Sequence, residues 1–208
     1  MNSVTPTRRR YRQGARAAAA EVTGRRIIAA FRAALQDQWV EDVTLEQVAR
    51  AAGVTVQTVI RRFGGKSGLL EAVAGEIGGE VLGVRGTPRG DLGAAVTNLC
   101  ADYESTGPMV VRLLAQEPRY PALAALLDIG RRGHRDWVAA IAEPWLERLS
   151  PQGRTAALDA LTAAMDVYVW KLARLDWGRS PEETRDLILR LASGALATFF
   201  PPEPKQEA

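Results

Sequence analysis

Apolar residues recur along this chain at intervals of three and four, and no segment shows a sustained apolar–polar alternation. The pattern predicts an all-α fold without strands. Ile27, Ile28, Phe31 and Leu35 mark a first helix from about Glu21 to Gln38, with Trp39 after it. Two short helices then fill the stretch from Thr44 to Phe63. A fourth opens near Lys66 and carries Leu69, Leu70, Val73, Ile77 and Val81. Gly75, Gly78 and Gly79 interrupt it, and glycine weakens a helix interior, so a soft joint is expected there. The run from Gly83 to Gly90, with Pro88, reads as a domain boundary.

Beyond the boundary the helical period continues. Leu92, Val96, Leu99 and Tyr103 form one stripe. Gly107-Pro108 is expected to start a short helix through Met109, Val110, Leu113 and Leu114, and Pro118 and Pro121 separate it from a longer one. That helix carries Leu123, Leu127, Gly130, His134, Val138 and Ile141, and Pro144 should end or kink it. Leu158, Leu161, Met165, Tyr168, Leu172 and Leu175 then alternate spacings of three and four, the seam of a coiled-coil-like helix. Asp176-Trp177-Gly178 stops it. Pro181 opens a last helix, with Glu182 and Glu183 in the first turn, where the helix dipole favours acids. Its apolar positions are Leu187, Leu191, Ala195 and Phe199.

The segment TLEQVARAAGVTVQTVIRRFGGK, Thr44 to Lys66, holds the most specific information. Thr44 and Gln47 have the spacing of a capping box. Leu45, Val48 and Ala49 share a face, and the small Ala49 lets another helix cross closely. Gly53 sits where the chain must reverse with a positive φ. Thr55 is placed to cap the next helix. Val54, Val59 and Phe63 point back toward the first helix, which leaves Val56, Gln57, Ile60 and Arg61 outward, Thr58 beside them and Arg62 at the edge. Glutamine can read adenine, arginine can read guanine, and an apolar side chain can touch a thymine methyl. Two short helices around a glycine turn, the second with such a face, have the layout of a helix-turn-helix.

Charge supports a polyanionic partner for the N-terminal part. The formal net charge is +3, but residues 1–75 hold 12 basic and 6 acidic side chains, and the remainder 15 and 18. Positive potential thus accompanies the helix-turn-helix, as phosphate neutralisation requires. Arginine outnumbers lysine 24 to 3 along the whole chain, so arginine abundance alone is weak evidence. Residues 1–20 form a basic arm with Arg8, Arg9, Arg10, Arg12 and Arg16, expected either to solvate itself as a disordered tail or to track phosphates. One cysteine, Cys100, excludes an internal disulfide, and one histidine, His134, argues against a usual zinc site. No metal or cofactor is expected. No apolar run is long enough to span a bilayer, and no signal peptide follows the arginines, so a cytoplasmic protein without membrane partners is expected. Without a nucleophile motif or a phosphate loop, an enzyme is not expected.

From about Glu21 to Ala74 the chain resembles the TetR family of bacterial transcriptional regulators. The resemblance lies in the Ile27–Leu35 helix, in Trp39, in TLEQVARAAGVT and in RRFGGKSGLL. Beyond that it extends only to length and helical layout. It implies that Thr44 and Lys66 hold phosphates, that the protein dimerises through its last two helices, and that a small molecule releases it from DNA. Two positions depart from the family pattern: Ile60 stands where an aromatic is common and Arg62 where histidine is frequent.

These readings give a basic arm at 1–20, a DNA-binding head at 21–75, an effector-binding and dimerisation domain at 76–200 and a disordered tail at 201–208. Candidate dimer residues are Leu158, Leu161, Met165, Tyr168, Leu172, Leu191, Ala195 and Phe199. Tyr103, Met109, His134, Trp137, Trp145, Met165 and Trp170 either line an apolar effector pocket or fill a core; the core is the commoner use of such a stripe. Few charges accompany them, so the effector expected is lipophilic or aromatic. The partners expected are double-stranded DNA with a two-fold symmetric operator, a second copy of the chain and this effector.

Overall fold

The computed structural model describes the backbone of residues 6–84 and 89–200 and the side chains of residues 18–75 and 89–200. The described elements are helical, and the chain divides into two compact units, Met1–Val73 and Ala74–Ala208. The arginines of the basic arm and the tail at 201–208 lie outside the described side chains.

The first unit holds α1 (Pro6–Asp37), α2 (Leu45–Ala52), α3 (Val56–Phe63) and the opening turns of α4 (Lys66–Val84). α1 starts well before Glu21. Ala15 and Ala17–Ala20 favour a helix intrinsically, and an extension with an exposed Ala18–Val22 surface leaves no apolar period to detect. The buried face of α1 is Gly24, Ile27, Phe31 and Leu35. It packs on α2, and Val48, Ala49 and Ala52 of α2, Val59 of α3, and Leu69, Leu70 and Val73 of α4 are likewise at most 2 % exposed. Removing each large side chain from water contributes about 1.5–3 kcal/mol. α4 is continuous to Val84, so the glycines at 75, 78 and 79 do not break it.

The second unit comprises α5 (Leu92–Gln116), α6 (Pro121–Leu146), α7 (Pro151–Ala164), α8 (Val167–Lys171), a π-helical turn (Leu172–Asp176) and α9 (Pro181–Ala197), with a 3₁₀ turn at Glu117–Arg119. Two local expectations are overridden here. Pro108 lies inside α5 instead of starting a new helix. Tyr103, Gly107, Met109 and Leu113 are buried on both sides of it, and this packing outweighs the lost backbone bond, a cost of about 3 kcal/mol. The predicted seam from Leu158 to Leu175 is likewise not one helix. Asp166 leaves the helical backbone, and its carboxylate accepts from Tyr168 N at 2.9 Å, capping α8. Pro144 is held within α6, which ends two residues later at Leu146.

Candidate nucleic-acid interface

The geometry of α2 and α3 follows from a few side chains. Thr44 Oγ1 accepts from Gln47 N at 3.1 Å, and Thr44 N donates to Gln47 Oε1 at 2.8 Å, which completes the expected capping box. At the other end of α2, Gly53 has φ 63°, a left-handed conformation that glycine adopts without steric cost. Gly53 N bonds Arg50 O and Val54 N bonds Ala49 O, at 3.1 and 2.9 Å. This paired closure satisfies two carbonyls at the helix end and fixes the reversal of the chain.

Thr55 then caps α3. Its Oγ1 accepts from Thr58 N at 3.2 Å and lies 2.9 Å from Thr58 Oγ1. The structure therefore uses Thr55 and Thr58 first to shape the helix start. Val59 is fully buried and orients α3, while Gln57, Ile60 and Arg61 are exposed and Val56 is half-buried. Ile60 is 41 % exposed. The arrangement offers a neutral amide, an apolar tip and a guanidinium on one side of a two-turn helix. That combination suits base edges, which present donors, acceptors and methyl groups in the major groove.

The other two candidate cations make contacts that the sequence pattern did not show. Lys66 was expected to hold a phosphate at the start of α4. Its Nζ donates to Val40 O at 2.9 Å and Glu41 O at 2.8 Å, tying α4 to the loop between α1 and α2. Arg62 was expected at the edge of the outward face. Its guanidinium lies against Gly24 on α1, with Cζ also 5.8 Å from the Phe63 ring centroid. Arg26 was missed as a structural residue: its Nη2 donates to Ala52 O, across the turn that sets the angle between α2 and α3. No local pattern marks such a bond, because its partners stand 26 residues apart.

Residues 27–73 match the family model for bacterial regulatory proteins of the tetR family, a match that spans this capped helix pair and the core around it. Over these residues the N-terminal unit is similar to bacterial regulatory proteins of the tetR family. The fold is similar to that of a TetR-family transcriptional regulator from Streptomyces coelicolor, with 18% identity and a TM-score of 0.67, over 89% of this chain and 91% of that one. It is also similar to a proposed transcriptional regulator from Pseudomonas aeruginosa PAO1, with 15% identity and a TM-score of 0.63, over 83% of this chain and 89% of the other. No curated protein matches the sequence. The chain thus has an all-helical fold similar to those of these two proteins. Among the described residues no helix is long and apolar enough to cross a membrane.

In the second unit, most of the candidate pocket residues pack against one another. Tyr103, Met109, His134, Trp137, Met165 and Trp170 are buried. Tyr103 Oη donates to Met165 O at 3.1 Å, and the Tyr103 and Trp170 rings sit 6.0 Å apart. Trp170 Nε1 donates to Glu104 Oε1 at 2.9 Å. His134 Nε2 lies 3.4 Å from Thr162 O and its ring stacks on Trp137, which makes it a hydrogen-bonded core histidine. Trp145 borders an open groove, with Leu92, Leu196 and Phe200. Cys100 is buried among apolar neighbours, and desolvation pushes its thiol up to about 11, with Glu104 adding to the rise.

The candidate dimer residues fall into three groups. Leu161 and Met165 are each 1 % exposed and belong to the core of their own unit, contrary to expectation. Leu158 and Phe199 are partly buried against that core, and Ala195 is half-buried. Tyr168, Leu172 and Leu191 are exposed, as are Leu175 and Trp177. The division follows from the cap at Asp166, which re-aims the chain so that residues before and after it no longer share one face.

Proposed function

We propose that the protein is a sequence-specific transcriptional regulator that binds duplex DNA as a homodimer and acts as a repressor released by a small-molecule effector. The exposed Gln57, Ile60 and Arg61 around the buried Val59 carry the reading. In it, α3 enters the major groove, with Val56, Gln57, Thr58, Ile60 and Arg61 toward the bases. Thr44, Thr55 and the remaining N–H of Lys66 face phosphates. The family match over residues 27–73 supports this docking.

One head covers few base pairs, so specificity calls for two heads on a two-fold axis, reading half-sites about one helical turn apart. Tyr168, Leu172, Leu175, Trp177 and Leu191 support a second copy as the partner, because an exposed apolar surface on adjacent elements favours self-association. Selection of bound duplexes from a random pool tests the whole reading. A two-fold symmetric consensus is expected; recovery of unrelated sequences would remove it.

A second reading has its own support. Of the two uses open to the aromatic residues of this unit, the burial of Tyr103, Trp137 and Trp170 supports the core, which favours a DNA-binding dimer whose C-terminal unit only dimerises. A thermal-shift screen with lipophilic and aromatic compounds separates the two. A compound that stabilises the protein and lowers its affinity for the selected duplex supports effector release.

A further inference from the structure

Gly24 lies in the buried face of α1, in a stretch otherwise rich in alanine. The space a side chain would occupy there is taken by Arg62, the last cation of α3. A Cβ built on Gly24 would lie 2.6 Å from Arg62 Nε and 2.7 Å from Cζ, closer than any real contact. The obstacle is the far end of a flexible side chain. Adding the methyl group would therefore displace the guanidinium and leave the helices in place. The guanidinium plane also lies beside the Phe63 ring, at 5.8 Å from its centroid. Arg62 and neighbouring Arg61 are both exposed, so the contact with Gly24 and Phe63 leaves part of the Arg62 side chain open to solvent.

We propose that Gly24 is a positioning residue for DNA recognition: it berths the Arg62 guanidinium on α1 and withholds that charge from the phosphate backbone. The inference rests on the DNA-docking reading of α3. Every phosphate contact adds affinity for any sequence alike. Keeping one arginine of the recognition helix occupied lowers non-specific binding and leaves Gln57, Ile60 and Arg61 to discriminate among bases. The berth thereby sets the ratio of specific to non-specific affinity. It also gives a mid-helix glycine a purpose that close helix packing does not, since the group against it belongs to a charged side chain and not to a neighbouring backbone.

Full-length protein, G24A, R62A and the double variant are titrated with a random-sequence duplex over a series of salt concentrations. G24A is expected to steepen the slope of log affinity against log salt by about 0.9, one extra phosphate contact. Between about 50 and 200 mM salt this is an additional loss of about 3.5-fold. R62A alone should leave the slope at the wild-type value, and the double variant should abolish the effect of G24A. A slope already flattened by about 0.9 in R62A would show that Arg62 sits on phosphate, and an unchanged slope in G24A would show that the berth withholds nothing; either overturns the proposal.

Circular dichroism checks that G24A remains helical. Nuclear Overhauser contacts between Arg62 Hε and Gly24 Hα, measured without DNA, read the berth directly. Their absence overturns it even where duplexes bind. Wild-type protein that keeps these contacts yet binds no duplex at low salt overturns the docking reading and the phosphate role together, and leaves only the packing.

Discussion

The two units reach definite structures by different routes. In the N-terminal head, hydrogen bonds between residues at most five apart fix the short helices: Thr44 with Gln47, Ala49 with Val54, Thr55 with Thr58. In the C-terminal unit, burial decides. Pro108 stays within α5 because Tyr103, Met109 and Leu113 are buried around it, and Gly107 admits the Trp170 ring, whose Cη2 would lie 2.7 Å from an added Cβ. A head that presents a fixed set of side chains outward gains from rigid local caps. A unit whose work is packing can override local signals, provided that its apolar surface is covered.

That contrast can be broken experimentally. The largest effect is expected for Trp170→Ala, which removes a 2 % exposed ring and its bond to Glu104. A loss of about 3–5 kcal/mol in denaturant unfolding is expected, with the head's helices retained. Equal loss of both units would mean that they unfold as one. Lys66→Met leaves Val40 O and Glu41 O without their shared donor, and should destabilise the head by about 1–3 kcal/mol. If stability is unchanged while the salt slope of duplex binding flattens, the lysine serves phosphate and not the loop.

Gly53→Ala forces a methyl group into a left-handed turn, at about 1–2 kcal/mol, and toward the Arg26 guanidinium, 2.6 Å from the new Cβ. Melting should fall in the head, and duplex affinity with it. The smallest effect should appear in acid. Arg174 donates to both oxygens of Glu104, and these bonds hold the carboxyl below its usual range. The stabilisation is complete above the unfolded carboxylate value, about 4.3, and is lost as the pH falls through the lower folded value. Glu104→Gln should therefore flatten the acid limb of stability in the C-terminal unit without altering the head. An unchanged limb would show that Glu104 does not couple to folding.

Much of the head was legible in the sequence because its determinants are local. A threonine three residues before a glutamine, and a glycine after Ala52, specify backbone angles wherever they occur. What could not be read there were the long cations. Arg26, Arg62 and Lys66 reach partners set by the tertiary arrangement, and a flexible four- or five-atom stem leaves no periodic trace. The C-terminal unit was legible as helices but not as faces. Leu161 and Met165 share the spacing of Tyr168 and Leu172, yet the first pair is core and the second is exposed. The period reports that a stripe is apolar and is silent on what covers it. Asp166 was the available signal: a good N-cap residue in the middle of a predicted helix.

Cys100 has a practical corollary. As the chain's one sulfhydryl, closed off from solvent and shifted to about 11, it is almost entirely un-ionised near neutrality and resists alkylating reagents until its surroundings open. Its labelling rate is a built-in stopwatch for opening of the C-terminal unit.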